Sequence, residues 1–119
     1  MDKFILPEYD NSIVSLASSI RRYFELDAYH NTLSDIDKIL EEYKPKNVVV
    51  ILFDGMGSIL IKKILGENSF LYRNMLKEIS SVVPATTTAS TTSMLTGLTP
   101  VEHGWLAWNL YFKKEDKIV

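Results

Sequence analysis

Two segments of this 119-residue chain contain residue types that could take part in phosphoryl transfer. Asp54 directly follows the apolar run at residues 48–53, and a carboxylate at the end of a strand can coordinate Mg²⁺, Mn²⁺ or Zn²⁺. Residues 86–93 are threonine and serine except for Ala89. A helix that begins in this segment would present backbone N–H groups and a positive dipole end, which together favour an anion. A threonine hydroxyl there could attack phosphorus once a metal or a base had activated it.

These residues also have a structural interpretation. Asp54 could instead cap the helix that follows it, and Thr86 could cap a polar helix whose remaining hydroxyls are solvated. We interpret His103, in a glycine-flanked loop, as a hydrogen-bonded structural residue rather than as a ligand. No role is predicted for His30, and Glu102 is expected to be solvated.

Two N-terminal helices are predicted from apolar residues at helical spacing. The apolar face of the first helix consists of Ile13, Leu16, Ala17, Ile20 and Phe24, and its cap candidates are Asp10, Asn11 and Ser12. The second helix is capped by Thr32 or Ser34 and ends before Pro45. Together they predict a helical segment over residues 1–46.

The chain then changes to a pattern that is typical of a parallel sheet. Residues 48–53 form a continuous apolar run, as in a strand buried on both faces, and residues 80–83 predict a shorter second strand. Helices predicted between these strands and over residues 87–95 complete a βαβ unit. The tail from Trp105 onward is expected to hold a hairpin or an edge strand. We therefore predict an α/β fold in which a partial parallel sheet with flanking helices, over residues 47–119, follows the two N-terminal helices.

Composition argues against several classes of function. The net charge of −2 leaves no basic footprint for nucleic acid, and no apolar run approaches the roughly 20 residues that span a membrane. Hydrophobic residues make up 46% of the chain, which indicates one globular domain rather than a disordered segment. The absence of cysteine and of an apolar leader predicts a soluble, cytoplasmic protein.

Two longer motifs surround the residues that could do chemistry. The first is Val-Val-Val-Ile-Leu-Phe-Asp-Gly-Met-Gly, which ends at Gly57. The second runs from Pro84 to Gly104 and contains Pro-x-x-Thr, Thr-Gly-Leu and His-Gly. Over residues 47–112 these motifs resemble the type I phosphodiesterase/nucleotide pyrophosphatase family of the alkaline phosphatase superfamily. The resemblance implies an alkaline-phosphatase-like fold, a two-metal centre that usually holds zinc, and a threonine nucleophile that forms a covalent phospho-enzyme.

The resemblance also implies roles for individual residues. Asp54 matches the first metal-ligating aspartate, and Thr87 matches the nucleophile, which also ligates metal. Thr86 is the second choice for the nucleophile. Ser90 stands where the nucleotide-cleaving members have an asparagine that contacts phosphate, so Thr87 and Ser90 are the expected contacts to substrate phosphate. His103 matches a position that we interpret as structural.

The family members carry further Asp and His ligands downstream, whereas this sequence has only Asp116 after His103. We therefore expect an N-terminal portion of such an enzyme, inactive by itself, with an incomplete site for two divalent ions, zinc first and Mn²⁺ or Mg²⁺ as alternatives. The expected partner is a phosphate-ester or nucleotide-like small molecule, and the chain is expected to form a homo-oligomer or to need a missing C-terminal segment. Two alternatives stay open: a non-catalytic phosphate- or nucleotide-binding module, and an oligomerising structural domain.

Overall fold

The computed structural model describes residues 6–119, which are mostly helical. The helices in chain order are α1 (Ile13–Tyr23), α2 (Ser34–Tyr43), α3 (Ser58–Leu60), α4 (Phe70–Arg73), α5 (Thr87–Thr96) and α6 (Pro100–His103). A 3₁₀ turn at Tyr9–Asn11 precedes α1, and a π-helical turn at Ile61–Leu65 continues α3. Two short strands, β1 (Tyr111–Phe112) and β2 (Lys117–Ile118), pair as an antiparallel hairpin in the tail. None of the described helices combines the length and the apolar character needed to cross a bilayer.

The prediction of an α/β fold with a parallel sheet is wrong. Residues 48–53 adopt no regular secondary structure, and residues 80–83 contribute only a single parallel bridge, between Ser12 and Ser80. Among residues 6–119 the tail hairpin is the one sheet. A strand is stable only when a neighbour pairs with its backbone, and β propensity alone does not supply that neighbour. The bridge pairs the second predicted strand with the residue that precedes α1.

The described residues divide into two compact units. Residues 6–48 and 80–119 form the helical unit, and residues 49–79 form the inserted unit. The predicted helical segment started at residue 1, and residues 1–5 lie outside the described part of the chain.

The core of the helical unit lies where α1 packs against α5. Ser12 caps α1, as one of the predicted candidates, because its Oγ accepts a hydrogen bond from the Val14 N–H at 3.2 Å. The fully buried apolar residues at this contact are Val14, Val82 and Ala89. Of the predicted apolar face of α1, only Ala17 is fully buried, and Phe24 is 42% exposed. The buried face of α1 instead contains three serines, Ser15, Ser18 and Ser19.

The second helix is joined to the first by polar contacts. Leu33, and not Thr32 or Ser34, is the N-cap residue of α2, and its side chain makes no capping hydrogen bond. The Leu33 N–H instead donates to Ser19 Oγ at 2.8 Å. Arg22 also forms an ion pair with Asp37 of α2, with 2.6 Å between Nη2 and Oδ2. The sequence pattern predicted α2 correctly, but its connection to α1 depends on side chains that are distant in sequence.

The inserted unit contains α3, its π-helical extension and α4. Ser69 caps α4 through a hydrogen bond from the Tyr72 N–H to its Oγ. Lys62 and Glu78 form an exposed ion pair. No residue of 49–79 is fully buried, although the segment is rich in large apolar side chains. The unit therefore has short helical elements without a core of its own.

Candidate functional site

The nucleophile predicted from the sequence is the first residue of α5. Thr86 is the N-cap residue, with extended backbone, and its Oγ1 accepts a hydrogen bond from the Ala89 N–H at 3.3 Å. Thr87 is half-buried and begins the ten-residue helix. The backbone N–H groups of a first helical turn and the helix dipole create a local positive potential, which favours a bound anion. Thr87 is thus the first residue of such a turn, and its role as the nucleophile stays a prediction.

The hydroxyl of Thr86 makes three hydrogen-bond contacts, one of them with the Thr88 hydroxyl at 3.3 Å. Besides accepting from Ala89, it donates its proton to the backbone oxygen of Leu106 at 2.9 Å. A threonine hydroxyl has one proton, so attack on phosphorus by Thr86 would require the loss of the Leu106 contact.

Ser90 lies one turn after Thr87 on α5, and residues three apart face the same side of a helix. Its Oγ lies 3.0 Å from Ser81 Oγ, so the two hydroxyls form a hydrogen bond. Thr87 and Ser90 are therefore brought together by the helix itself. The role of Ser90 as a phosphate contact stays a prediction.

Asp54 lies in the inserted unit, in an exposed turn before Gly55, whose φ of +66° places it in the left-handed region. The N-cap of the next helix, α3, is Gly57, so the alternative interpretation of Asp54 as a helix cap is wrong. Thr87 and Ser90 belong to the helical unit. The role of Asp54 as a metal ligand stays a prediction.

The described residues do not by themselves fit a two-zinc centre. Between residues 6 and 119 there is no group of three or more histidine, aspartate or glutamate side chains that could hold a metal ion. A zinc site uses three or four protein ligands, chiefly such side chains when cysteine is absent.

His103 fastens α6 to the middle of α5. The Trp105 N–H donates to its Nδ1 at 3.0 Å, so Nδ1 is unprotonated, and Nε2 carries the proton of the neutral ring. Nε2 lies 3.0 Å from the Oγ of Ser93, which is fully buried. Both ring nitrogens are engaged in hydrogen bonds within the protein, which fits the structural interpretation of this residue.

A second cluster joins α6 to the linker between α1 and α2. Glu102 Oε2 accepts hydrogen bonds from the Thr99 N–H at 2.7 Å and the Thr99 hydroxyl at 2.6 Å, and it lies 2.8 Å from His30 Nε2. These donors, the Thr99 hydroxyl foremost, lower the pKa of Glu102 from its usual 4.5 to about 2. Glu102 is exposed, as expected, but its carboxylate also makes these contacts within the protein. The Thr-x-x-Glu capping box was a signal that could have found the Thr99 contacts, whereas nothing in the sequence indicated His30.

Comparison with known proteins supports the family to which the motifs point. The family model described as type I phosphodiesterase/nucleotide pyrophosphatase matches residues 48–118, which is more than half of the chain. The match includes Asp54, Thr87 and Ser90. No curated protein and no solved structure matches the chain significantly. This chain belongs to the type I phosphodiesterase/nucleotide pyrophosphatase family.

Proposed function

We propose that the chain carries the nucleophile of a phosphoric-ester hydrolase, and that this nucleophile is Thr87. The observation that supports it is the position of Thr87 as the first residue of α5, within the family match. In the proposed step, Thr87 Oγ1 forms a bond to phosphorus as the bond between phosphorus and the leaving-group oxygen breaks. The hydroxyl proton passes to water, and a second water molecule later hydrolyses the phospho-threonine.

Two further assignments belong to this proposal. Asp54 is a ligand of one of two divalent ions, zinc first and Mn²⁺ or Mg²⁺ as alternatives, and Thr87 ligates metal as well. Ser90 contacts the substrate phosphate. Their support is the family match and the residue types, since carboxylates bind such ions and hydroxyls donate to phosphate oxygens.

We further propose that the chain by itself binds divalent metal weakly and does not hydrolyse phosphate esters. The support is chemical: two zinc ions need about eight ligand positions, and Asp54 and Thr87 fill few of them. The substrate is a phosphate ester or a nucleotide-like small molecule. Cytoplasmic location and self-association stay predictions.

A phosphodiester assay tests these points in one series. Bis(p-nitrophenyl) phosphate with Zn²⁺ or Mn²⁺ is the substrate, and the variants are Thr87→Ala and, as the matched control on the same helical turn, Thr88→Ala. We expect no turnover from any of them. Turnover that Thr87→Ala abolishes and Thr88→Ala retains would overturn the proposed inactivity and support the nucleophile. Turnover that survives Thr87→Ala would refute Thr87 as the nucleophile.

Calorimetric titration with inorganic phosphate tests the site without turnover. We expect phosphate to bind the wild-type chain and to bind Thr87→Ala more weakly. Such binding in the absence of any turnover would also be the result expected of a non-catalytic phosphate-binding module. That alternative is favoured if added divalent metal changes neither the affinity nor the activity, whereas the hydrolase proposal requires metal to strengthen phosphate binding.

A further inference from the structure

The chain after α5 returns to the start of the same helix. α6 packs against α5, and the hydrogen bond from His103 to Ser93 joins them near the middle of α5. Residues 104–108, which we call the return loop, then run back towards the start of α5. There the Leu106 carbonyl oxygen accepts a hydrogen bond from the hydroxyl of Thr86. The return loop therefore lies beside the helix position that precedes Thr87.

Two consecutive residues of the return loop are held by side chains from two helices. The Trp105 N–H donates to His103 Nδ1 at 3.0 Å, and the Leu106 oxygen accepts from Thr86 Oγ1 at 2.9 Å. Trp105 also packs near Phe112, with 6.3 Å between ring centroids, and is 37% exposed. Of these contacts, the hydrogen bond from Thr86 connects the return loop to the start of α5.

We propose that Thr86 is a positioning residue, which holds the return loop against the start of α5 and thereby fixes the surroundings of Thr87. This inference rests on the proposed function of Thr87. A hydroxyl suits the role because it can accept from the Ala89 N–H and donate to the Leu106 oxygen at the same time. The same atom thus caps the helix and sets the position of the loop beside it.

Tryptophan fluorescence can report on the return loop alone. The chain has two tryptophans, Trp105 and Trp108, and both lie in this loop. In a Trp108→Phe background, acrylamide quenching measures how accessible Trp105 is. Thr86→Val removes the cap and the hydrogen bond to Leu106, and Thr86→Asp keeps an acceptor for the cap but has no proton for Leu106 when ionised. Thr86→Ser keeps both bonds. Thr91→Val, further along α5, is the control for losing a threonine hydroxyl, because the Thr88 hydroxyl lies 3.3 Å from that of Thr86.

We expect Thr86→Val and Thr86→Asp to raise the quenching constant about two-fold, because the released loop exposes Trp105, while Thr86→Ser and Thr91→Val match the wild type. Helical circular dichroism confirms that the variants are folded. Wild-type quenching in Thr86→Asp would overturn the proposal, because the cap and not the loop contact would then be the role of the hydroxyl.

Binding of inorganic phosphate tests the positioning itself. We expect the dissociation constant to rise about five-fold in Thr86→Val, because the released loop no longer fixes the surroundings of Thr87, and to recover in Thr86→Ser. Increased quenching with unchanged phosphate affinity would overturn the positioning role. Absence of phosphate binding in the wild type would instead refute the proposed phosphate site, and with it the positioning role, while the quenching series would still show whether Thr86 holds the loop.

Discussion

The two units of this chain use their residues in opposite ways. The helical unit buries small and polar side chains, with Ser12, Ser15, Ser19 and Ser93 all inaccessible and all hydrogen-bonded. The inserted unit contains a larger share of big apolar side chains and fully buries none of them. The apolar character of a segment therefore does not decide whether it is buried. What decides it here is whether a neighbouring element offers a complementary surface.

Hydrogen bonds explain how the helical unit buries so many hydroxyls. Ser12 and Ser15 both donate to the Tyr9 carbonyl oxygen, at 2.7 and 2.6 Å. Each such bond offsets the desolvation of the hydroxyl, and the small side chains let α1 and α5 approach closely. Among the described residues, Ser18 is an exception, because its buried Oγ has no hydrogen-bond partner.

The contrast predicts that adding bulk to the helical unit is worse than removing bulk from the inserted unit. Ala89 is fully buried between α1 and α5, whereas Ile64 in the inserted unit is 72% exposed. We expect Ala89→Leu to lower the free energy of unfolding by about 3 kcal/mol, because the core has no room for three more carbons. We expect Ile64→Ala to change it by about 0.5 kcal/mol or less. Urea denaturation followed by circular dichroism measures both.

A loss of similar size in the two variants would contradict the comparison, because it would mean that the apolar side chains of the inserted unit are buried in solution. Thr88→Leu is a further control on α5, since Thr88 is only partly buried. Its effect should fall between those of the other two.

The sequence was informative wherever local chemistry decides the outcome. The cap at Ser12 and the helix that begins at Thr87 followed from residue types and spacing, and the structure confirms both. The strand at residues 48–53 was wrong because its stability depends on a partner that propensity cannot reveal. The contact between His30 and Glu102 spans 72 positions and leaves no local pattern. The helix that carries the candidate site residues was thus predictable from the sequence, whereas long-range pairs were not.

Gly97 ends α5 and Gly104 ends α6, and the two glycines have nearly the same backbone angle. Gly97 and Gly104 have φ of +74° and +73°, where a side chain is strained. A Cβ at Gly97 would lie 3.0 Å from Arg21 Cδ, whereas one at Gly104 would meet no atom within 4 Å. We expect Gly104→Ala to destabilise the protein by about 1 kcal/mol from strain alone, and Gly97→Ala by about 2 kcal/mol. The difference in unfolding free energy isolates the contact with Arg21.

Equal effects of the two substitutions would show that Arg21 moves aside freely. Arg21 lies over the ring of Tyr29, 4.7 Å from its centroid, and donates to the Asp27 oxygen. These contacts resist such movement. Arg21→Ala combined with Gly97→Ala should then remove the excess over Gly104→Ala.

The smallest expected effects concern one carboxylate in each unit, Glu102 in the helical unit and Glu78 in the inserted unit. The pKa of Glu102 is lowered to about 2, so this carboxylate contributes stability above pH 4.5 that is lost as the pH falls from 4.5 towards 2. Glu102→Gln lacks this contribution, and we expect its unfolding free energy to fall less steeply over that interval. Because the Thr99 hydroxyl is the largest cause and His30 a smaller one, Thr99→Val should raise the pKa of Glu102 more than His30→Gln does. Carboxyl titration by NMR measures both shifts.

Salt should affect the pKa of Glu102 differently from the pKa of Glu78 in the inserted unit. The pKa of Glu78 is lowered by its hydrogen bond and its charge interaction with Lys62, and about half of each side chain is exposed. Dissolved ions screen such exposed pairs, but they hardly weaken short hydrogen bonds from a hydroxyl and a backbone N–H. Molar sodium chloride should therefore raise the pKa of Glu78 and leave that of Glu102 nearly unchanged. An equal response of the two pKa values would mean that charge, and not the Thr99 hydrogen bonds, keeps Glu102 ionised.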